Sequence, residues 1–147
     1  MDINEDRLER AKAFGADVVL NPAFVDVREA IRDLTQGLGA DYALETSASA
    51  SGVVDAIKCL RYWGTVAFVG MGQPVAINIA SDVIARQINM LGSWTFSSAI
   101  MNECARFAVA RKVEVDAVFT DRWQLEQAAQ AYKLLDAQSA GKGVFVL

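Results

Sequence analysis

Residues 42–72 read YALETSASASGVVDAIKCLRYWGTVAFVGMG, and the change of hydrophobic period inside this stretch decides the fold. Tyr42-Ala43-Leu44-Glu45 is a short apolar run of strand length. From Ser49 to Leu60 the residues Val53, Val54, Ile57 and Leu60 recur at helical spacing, and Ser49 or Ser51 can cap the first turn. Arg61-Tyr62-Trp63-Gly64 then turns the chain. Thr65 to Val69 is a continuous apolar run, as expected where a parallel strand is covered on both faces. Strand, helix and strand in this order make a βαβ unit with a right-handed crossover. The run ends in Gly70-Met71-Gly72-Gln73-Pro74, a loop too rich in glycine for regular structure.

The same alternation extends in both directions. Upstream, Leu8, Ala11 and Phe14 form one stripe of a helix from Glu5 that stops at Gly15. Val18-Val19-Leu20 reads as a buried strand closed by Asn21-Pro22. Val27, Ile31 and Leu34 mark a second helix, ended by the Gly37-Leu38-Gly39 turn. Downstream, Val75 to Ile79 is an extended stretch that Pro74 and Asn78 place at a sheet edge, followed by a short helix from Asp82 to Gln87. Ile88 to Trp94 reads as a strand interrupted at Gly92. A long helix from Ser98 to Lys112 should bury Ile100, Cys104, Phe107 and Val109. Val115 to Phe119 is a short strand or extended link. Leu125, Ala128, Ala129, Tyr132 and Leu135 mark the face of a last helix, and Ser139 to Gly143 turns into a terminal strand, Val144 to Leu147. Strands alternating with helices predict an α/β fold with a mostly parallel sheet, in a single domain over residues 1–147 without repeats or linkers.

Composition narrows the chemistry. The apolar runs break far short of the roughly 20 residues that a bilayer span requires, and the N-terminus carries Asp2, Glu5, Asp6 and Glu9 where a secretory signal would be basic. The expectation is a cytoplasmic protein that uses no membrane. Fourteen Lys and Arg against 18 Asp and Glu, with no basic block, give no footprint for nucleic acid, so small molecules or protein are the expected partners. Cys59 and Cys104 lie in apolar helical patterns without CxxC spacing and read as small buried hydrophobes in a reducing compartment. The sequence has no histidine, which removes Ser-His and Cys-His nucleophilic pairs, a histidine base and His-bearing zinc sites. Trp63, Trp94 and Trp123 read as packing residues.

Several landmarks recur in a fixed order: Asp2-Ile3-Asn4-Glu5-Asp6-Arg7-Leu8 running into Ala11-Lys12-Ala13-Phe14-Gly15-Ala16-Asp17, then Asn21-Pro22, Val69-Gly70 and Gly141-Lys142-Gly143-Val144. Together they resemble the zinc-type medium-chain alcohol and polyol dehydrogenases over essentially the whole chain. The resemblance implies a truncated Rossmann-like three-layer fold. In the family a first strand, a G-x-G-x-x-G turn with its helix, and a second strand precede the position of Asp2, and a catalytic domain with the zinc ligands precedes those. This sequence holds no counterpart of them.

What the resemblance implies for individual residues follows the dinucleotide fold. Asp2 matches the acidic residue that accepts from the adenosine ribose hydroxyls and so selects NAD over NADP; a carboxylate favouring a helix N-terminus is the other reading. Arg7 matches a basic residue at the adenosine ribose or its phosphate, or is a solvated helix-face arginine. Thr46 and Ser47 follow a strand at the end where open α/β sheets bind ligands, and can also cap the next helix. Val69, Gly70 and Met71 match the loop whose backbone meets the nicotinamide, Ser93 and Thr95 match suppliers of backbone groups to its carboxamide, and Lys142 matches a basic residue near the pyrophosphate.

The parent reaction implied is NAD-dependent oxidation of a secondary alcohol, and the chain by itself is expected to be non-catalytic. The alternative is a free-standing, self-associating interaction module that kept the fold remnant and lost catalysis. In the family's strand order the two missing strands would lie between Val18-Leu20 and Tyr42-Glu45, so either Val18-Leu20 pairs directly with Tyr42-Glu45 or another chain covers that edge. A homodimer through Val75 to Ile79 and the neighbouring Ile88 to Trp94 is expected at the opposite edge.

Overall fold

A computed structural model describes residues 1–137 and 141–147. Part of the turn expected from Ser139 therefore lies outside the described residues. The chain divides into two compact units, one of Leu20–Thr95 and one of Met1–Val19 with Phe96–Leu147.

The Leu20–Thr95 unit is built on a three-stranded parallel sheet. Its elements are α2 (Val27–Leu34), β1 (Ala40–Glu45), α3 (Ala50–Lys58), β2 (Leu60–Phe68) and β3 (Asn89–Gly92), whereas the first helix, α1 (Glu5–Ala13), belongs to the second unit. The sheet order is β1-β2-β3, so β2 has a neighbour on each side. Tyr42 pairs with Thr65 and Glu45 with Phe68, while Thr65 pairs with Asn89 and Phe68 with Gly92. The βαβ unit β1-α3-β2 forms where the change of period places it, and Ser49 caps α3 by accepting from the Gly52 N–H at 3.0 Å.

The core of this unit lies between α3 and the sheet. Ala56, Ile57, Leu60, Val66 and Ile88 are buried together, Val66 at 0% and Ile57 at 1% exposure, with Ala43, Val53, Phe68, Ile77 and Val83 packed against them. Helix α2 is joined to α3 by an ion pair, Arg28 Nε to Asp55 Oδ1 at 2.8 Å.

Residues 61–64, expected as a turn before a strand, lie inside β2 as a bulge. Ala40 pairs with Leu60 but Tyr42 with Thr65, so β2 carries extra residues there. Trp63 takes φ +59, its N–H bonds the Arg86 carbonyl at 3.0 Å, and its indole Nε1 donates to Gln87 Oε1 at 2.9 Å. The close approach of β1's entry requires Gly39, at φ +95, since a Cβ there would meet the backbone of Cys59 and Arg61 at 2.8 Å.

The second unit contains α1, α4 (Ser98–Ala110), α5 (Ala128–Asp136), and a two-stranded parallel sheet of β4 (Phe119–Trp123) and β5 (Lys142–Phe145). Leu8 is buried, and Arg10 of α1 donates to the carbonyls of Ala117 and Val118 at 3.3 and 3.2 Å.

Four expectations are corrected. Val18-Leu20 carries no strand, because a three-residue strand exists only through a partner's hydrogen bonds and β1 takes its partner from β2 alone. The stretch 75–79 is not a strand either. Val75 and Ile77 keep their inward alternation, but Asn78 caps a single wide helical turn, Ile79–Ile84, by accepting from Ala80 and Ser81, and this draws the chain out of the sheet. Residues Val115–Val118 form a tight helical turn, and the strand begins at Phe119. On α4 the stripe Ile100, Cys104, Phe107 and Val109 faces solvent, since periodicity sets which face is apolar but not what covers it. Trp63 and Trp94 are likewise exposed. No helix among the described residues is long and apolar enough to cross a membrane.

Ile57 is buried in this core at 1% exposure, so Ile57→Ala should lower unfolding stability by about 2–5 kcal/mol. Urea denaturation followed by circular dichroism checks this; a change under roughly 1 kcal/mol would place the core elsewhere.

Candidate functional site

The parallel register brings the carboxyl ends of β1, β2 and β3 into one row, Glu45 beside Phe68 and Phe68 beside Gly92. The loops that leave this row carry Thr46 and Ser47, then Val69, Gly70 and Met71, then Ser93 and Thr95. Seven of the residues singled out in the sequence thus gather at one end of one sheet, which is where open parallel sheets bind ligands. The loops are bonded to the row itself. Val69 and Gly70 donate to the Glu45 carbonyl at 2.9 and 3.2 Å, and Ser93 donates to the Phe68 carbonyl at 2.9 Å. Thr46, Ser47, Met71 and Thr95 are exposed.

Sequence reasoning passed over Glu45, the one buried charged side chain among the described residues, at 4% exposure. Its carboxylate Oε1 accepts from the Ser47 N–H at 2.8 Å, the Ser47 hydroxyl at 2.5 Å and the Ala48 N–H at 3.0 Å, and Oε2 lies 3.3 Å from the same Ala48 N. The signal was present as an acidic residue closing an apolar strand and followed directly by small residues, Thr46 to Ser49. Ser49 N donates to the Ser47 hydroxyl oxygen at 3.2 Å, so the turn and the cap of α3 form one network. The glycines opposite serve this turn. A Cβ on Gly70 would sit 2.6 Å from Ala48 N, and one on Gly72 would collide with the Ala48 carbonyl. The close approach expected of Gly70 is therefore made by the protein's own backbone.

Asp2, Arg7 and Lys142 belong to the other unit. Asp2 Oδ1 accepts from the Asn4 N–H at 2.9 Å, and Oδ2 lies 3.7 Å from Arg7 Nη1. Asn4, not Asp2, caps α1, accepting from Arg7 N at 3.2 Å. Both members of the ion pair are about one-third exposed, where such a pair contributes on the order of a few tenths of a kcal/mol. Lys142 opens β5 on the rim of a 280 Å³ cleft lined by Asp121, Trp123, Tyr132, Leu135 and Phe145.

A second cavity, of 490 Å³, lies at the opposite end of the three-stranded sheet from the loop row, beside Gly39 and Leu60. Arg28, Arg32, Lys58 and Arg86 line it. Arg86 is fixed by donating to the carbonyls of Ile57 and Leu60, and Arg28 by Asp55, so these two cations complete a helix end and an ion pair. Cys59 borders the same cavity, and burial, followed by the nearby Asp55 carboxylate, pushes its thiol pKa up. The expectation of two buried cysteines holds in part: Cys59 is half-buried and Cys104 exposed. Among the described residues no group of three or more His, Cys, Asp or Glu is placed to hold a metal ion, so these described side chains do not fit a zinc centre.

Residues 1–111 match a family model described as zinc-binding dehydrogenase. The L-threonine 3-dehydrogenase of Symbiobacterium thermophilum is 33% identical over 152 residues, covering 99% of this chain and 42% of the relative. A solved NAD-dependent alcohol dehydrogenase, 33% identical, superposes with a TM-score of 0.78 over 98% of this chain and 42% of that one. An alcohol dehydrogenase of Thermotoga maritima, 24% identical, shares the fold with a TM-score of 0.89, over 98% of this chain and 41% of that one. The chain thus spans about two-fifths of the length of the relatives it matches.

The two thiols should separate in reactivity. A raised pKa lowers the thiolate fraction at a given pH, so iodoacetamide at pH 8 should alkylate exposed Cys104 well before Cys59. Peptide mass spectrometry over time reads the order; equal rates would contradict the burial of Cys59.

Proposed function

Because this chain belongs to the zinc-binding dehydrogenase family, we propose that it forms the C-terminal part of the NAD-binding lobe of an enzyme that oxidises a secondary alcohol or polyol. The observation that carries this reading is the row Glu45, Phe68 and Gly92, with the loops at 46–48, 69–73 and 93–95 leaving it side by side. Names of relatives support the reaction class, a threonine 3-dehydrogenase and an NAD-dependent alcohol dehydrogenase among them.

The hydrogen bonds of the loops bear on how these residues would meet the cofactor. The amides of Val69, Gly70 and Ser93 are already committed to carbonyls of the strand row. A nicotinamide carboxamide at this edge would be held by groups these bonds leave over, such as loop carbonyl oxygens and the hydroxyls of Thr46 and Thr95. The cofactor, when bound, accepts or gives the hydride; the loops exclude water and orient the ring. Asp2 and Arg7 would take the adenosine ribose and Lys142 the pyrophosphate, in keeping with the sequence resemblance. Polarising the alcohol oxygen is a task for which the described residues offer no group of three or more metal-ligating side chains. Catalysis by this chain alone is therefore not expected.

Self-association belongs to the same reading. All four residues of β3 are exposed at the outer edge of the sheet, where no described strand pairs with it on that side, and a second copy would join there.

The sequence has no G-x-G-x-x-G turn, whose amides and helix N-terminus hold a pyrophosphate. Calorimetric titration of the 147-residue chain with NADH should give millimolar or weaker binding, elemental analysis should give substoichiometric zinc, and sedimentation at tens of micromolar should give a dimer. A micromolar NADH affinity or one firmly held zinc per chain would overturn the division of labour, and a monomer would overturn the edge contact.

A further inference from the structure

We propose that Glu45 is a positioning residue that holds both cofactor-facing loops in shape, its carboxylate the turn at 46–48 and its main-chain carbonyl the loop at 69–70. The inference rests on the reading of this sheet end as the nucleotide site. Its geometry is local to one residue. Three donors, two N–H groups and one hydroxyl, converge on Oε1, and both carboxylate oxygens face the Ala48 amide. A glutamine in the same place can offer its carbonyl oxygen to these donors only by turning its NH2 group toward the Ala48 N–H, 3.3 Å from Oε2, and it lacks the negative charge that strengthens all three bonds. At 4% exposure no bulk solvent replaces a lost partner.

The carboxylate also answers for a strained backbone. Ala48 stands at φ +59, in the left-handed region that a residue with a Cβ adopts at a cost. The bonds from its amide to Glu45 hold it there. Gly70 and Gly72 then pack against the turned peptide of Ala48, at a distance that tolerates no side chain. Val69 and Gly70 meanwhile donate to the carbonyl of the same Glu45. Released, Ala48 would relax toward negative φ, and the loop that packs on it would lose its seat. Gly52, in the first turn of α3, leaves room for the Ser47 and Ser49 hydroxyls of the same network, which a Cβ would displace.

Backbone hydrogen exchange of the 147-residue chain tests this, comparing the wild type with Glu45→Gln and with Glu45→Gln combined with Ala48→Gly. Glu45→Gln should speed exchange of the Ser47 and Ala48 amides about tenfold or more while the Val66 amide in the core keeps its protection. Adding Ala48→Gly, which removes the left-handed penalty without restoring the bonds, should return the Gly70 amide toward its wild-type rate. That rescue is one that a general loss of packing would not show. Should Glu45→Gln not fold, Ser47→Ala removes a single donor and should speed Ala48 exchange about fivefold. Unchanged Ser47 and Ala48 exchange, or no rescue at Gly70, overturns the proposal. Saturation-transfer NMR with NADH separates the two ideas. Weaker transfer in Glu45→Gln than in wild type, recovered in the double variant, supports a role toward the cofactor. No transfer in the wild type, with the exchange differences intact, removes the nucleotide reading and leaves the role of Glu45 in the two loops standing.

Discussion

The parallel pairing of β2 with a strand on each side is the constraint on which the Leu20–Thr95 unit depends. A strand so placed satisfies its backbone N–H and C=O groups in both directions, and what remains is to cover its side chains. Val66 meets that requirement by sitting at the centre of the ladder against Ile57 of α3. The register that follows aligns the three strand ends, and the loops of the candidate site inherit their positions from it. The same register forces the extra residues of β2 outward at 61–64, where Trp63 takes the positive φ that the bulge needs. The candidate row and the bulge lie at opposite ends of one ladder and are set by the same pairing.

Much of this was legible in the sequence. The change from period two to period 3.6 between Tyr42 and Leu60 placed β1, α3 and the end of β2 within a residue or two of their bounds, though not the start of β2, and Ser49 was one of two caps named. Local chemistry suffices for such features, because a cap or an apolar stripe is decided by residues a few positions apart. The failures were non-local. Val18-Leu20 has strand composition but no strand beside it, and 75–79 alternates correctly yet is pulled away by the cap at Asn78. At the candidate site, Thr46 and Ser47 were named from the position of their loop after a strand and Val69, Gly70, Met71, Ser93 and Thr95 from the family resemblance, whereas Glu45 was missed because its role depends on a turn folding back over its own side chain.

Exposure of apolar residues follows a pattern. In β1, Ala43 and Glu45 face α3 and are covered, while Tyr42 and Leu44 on the other side are open. On α4 the whole stripe from Ile100 to Val109 is open. Scattered exposed apolar residues are ordinary on protein surfaces, but these are contiguous along single elements at the spacing of a buried face. The sequence therefore encodes more covering surface than the described elements use, in both units.

The placement of the three tryptophans has an optical consequence. Trp63 and Trp94, in the Leu20–Thr95 unit, are exposed, and Trp123, on β4, is half-buried beside Tyr132 and Phe145 across the 280 Å³ cleft. Emission from the first two already resembles that of indole in water, so the red shift on denaturation comes chiefly from Trp123. Far-ultraviolet circular dichroism instead sums helices from both units. The two signals thus weigh the halves of the molecule unequally, and their coincidence along a denaturation curve measures whether the units unfold as one cooperative body or in turn.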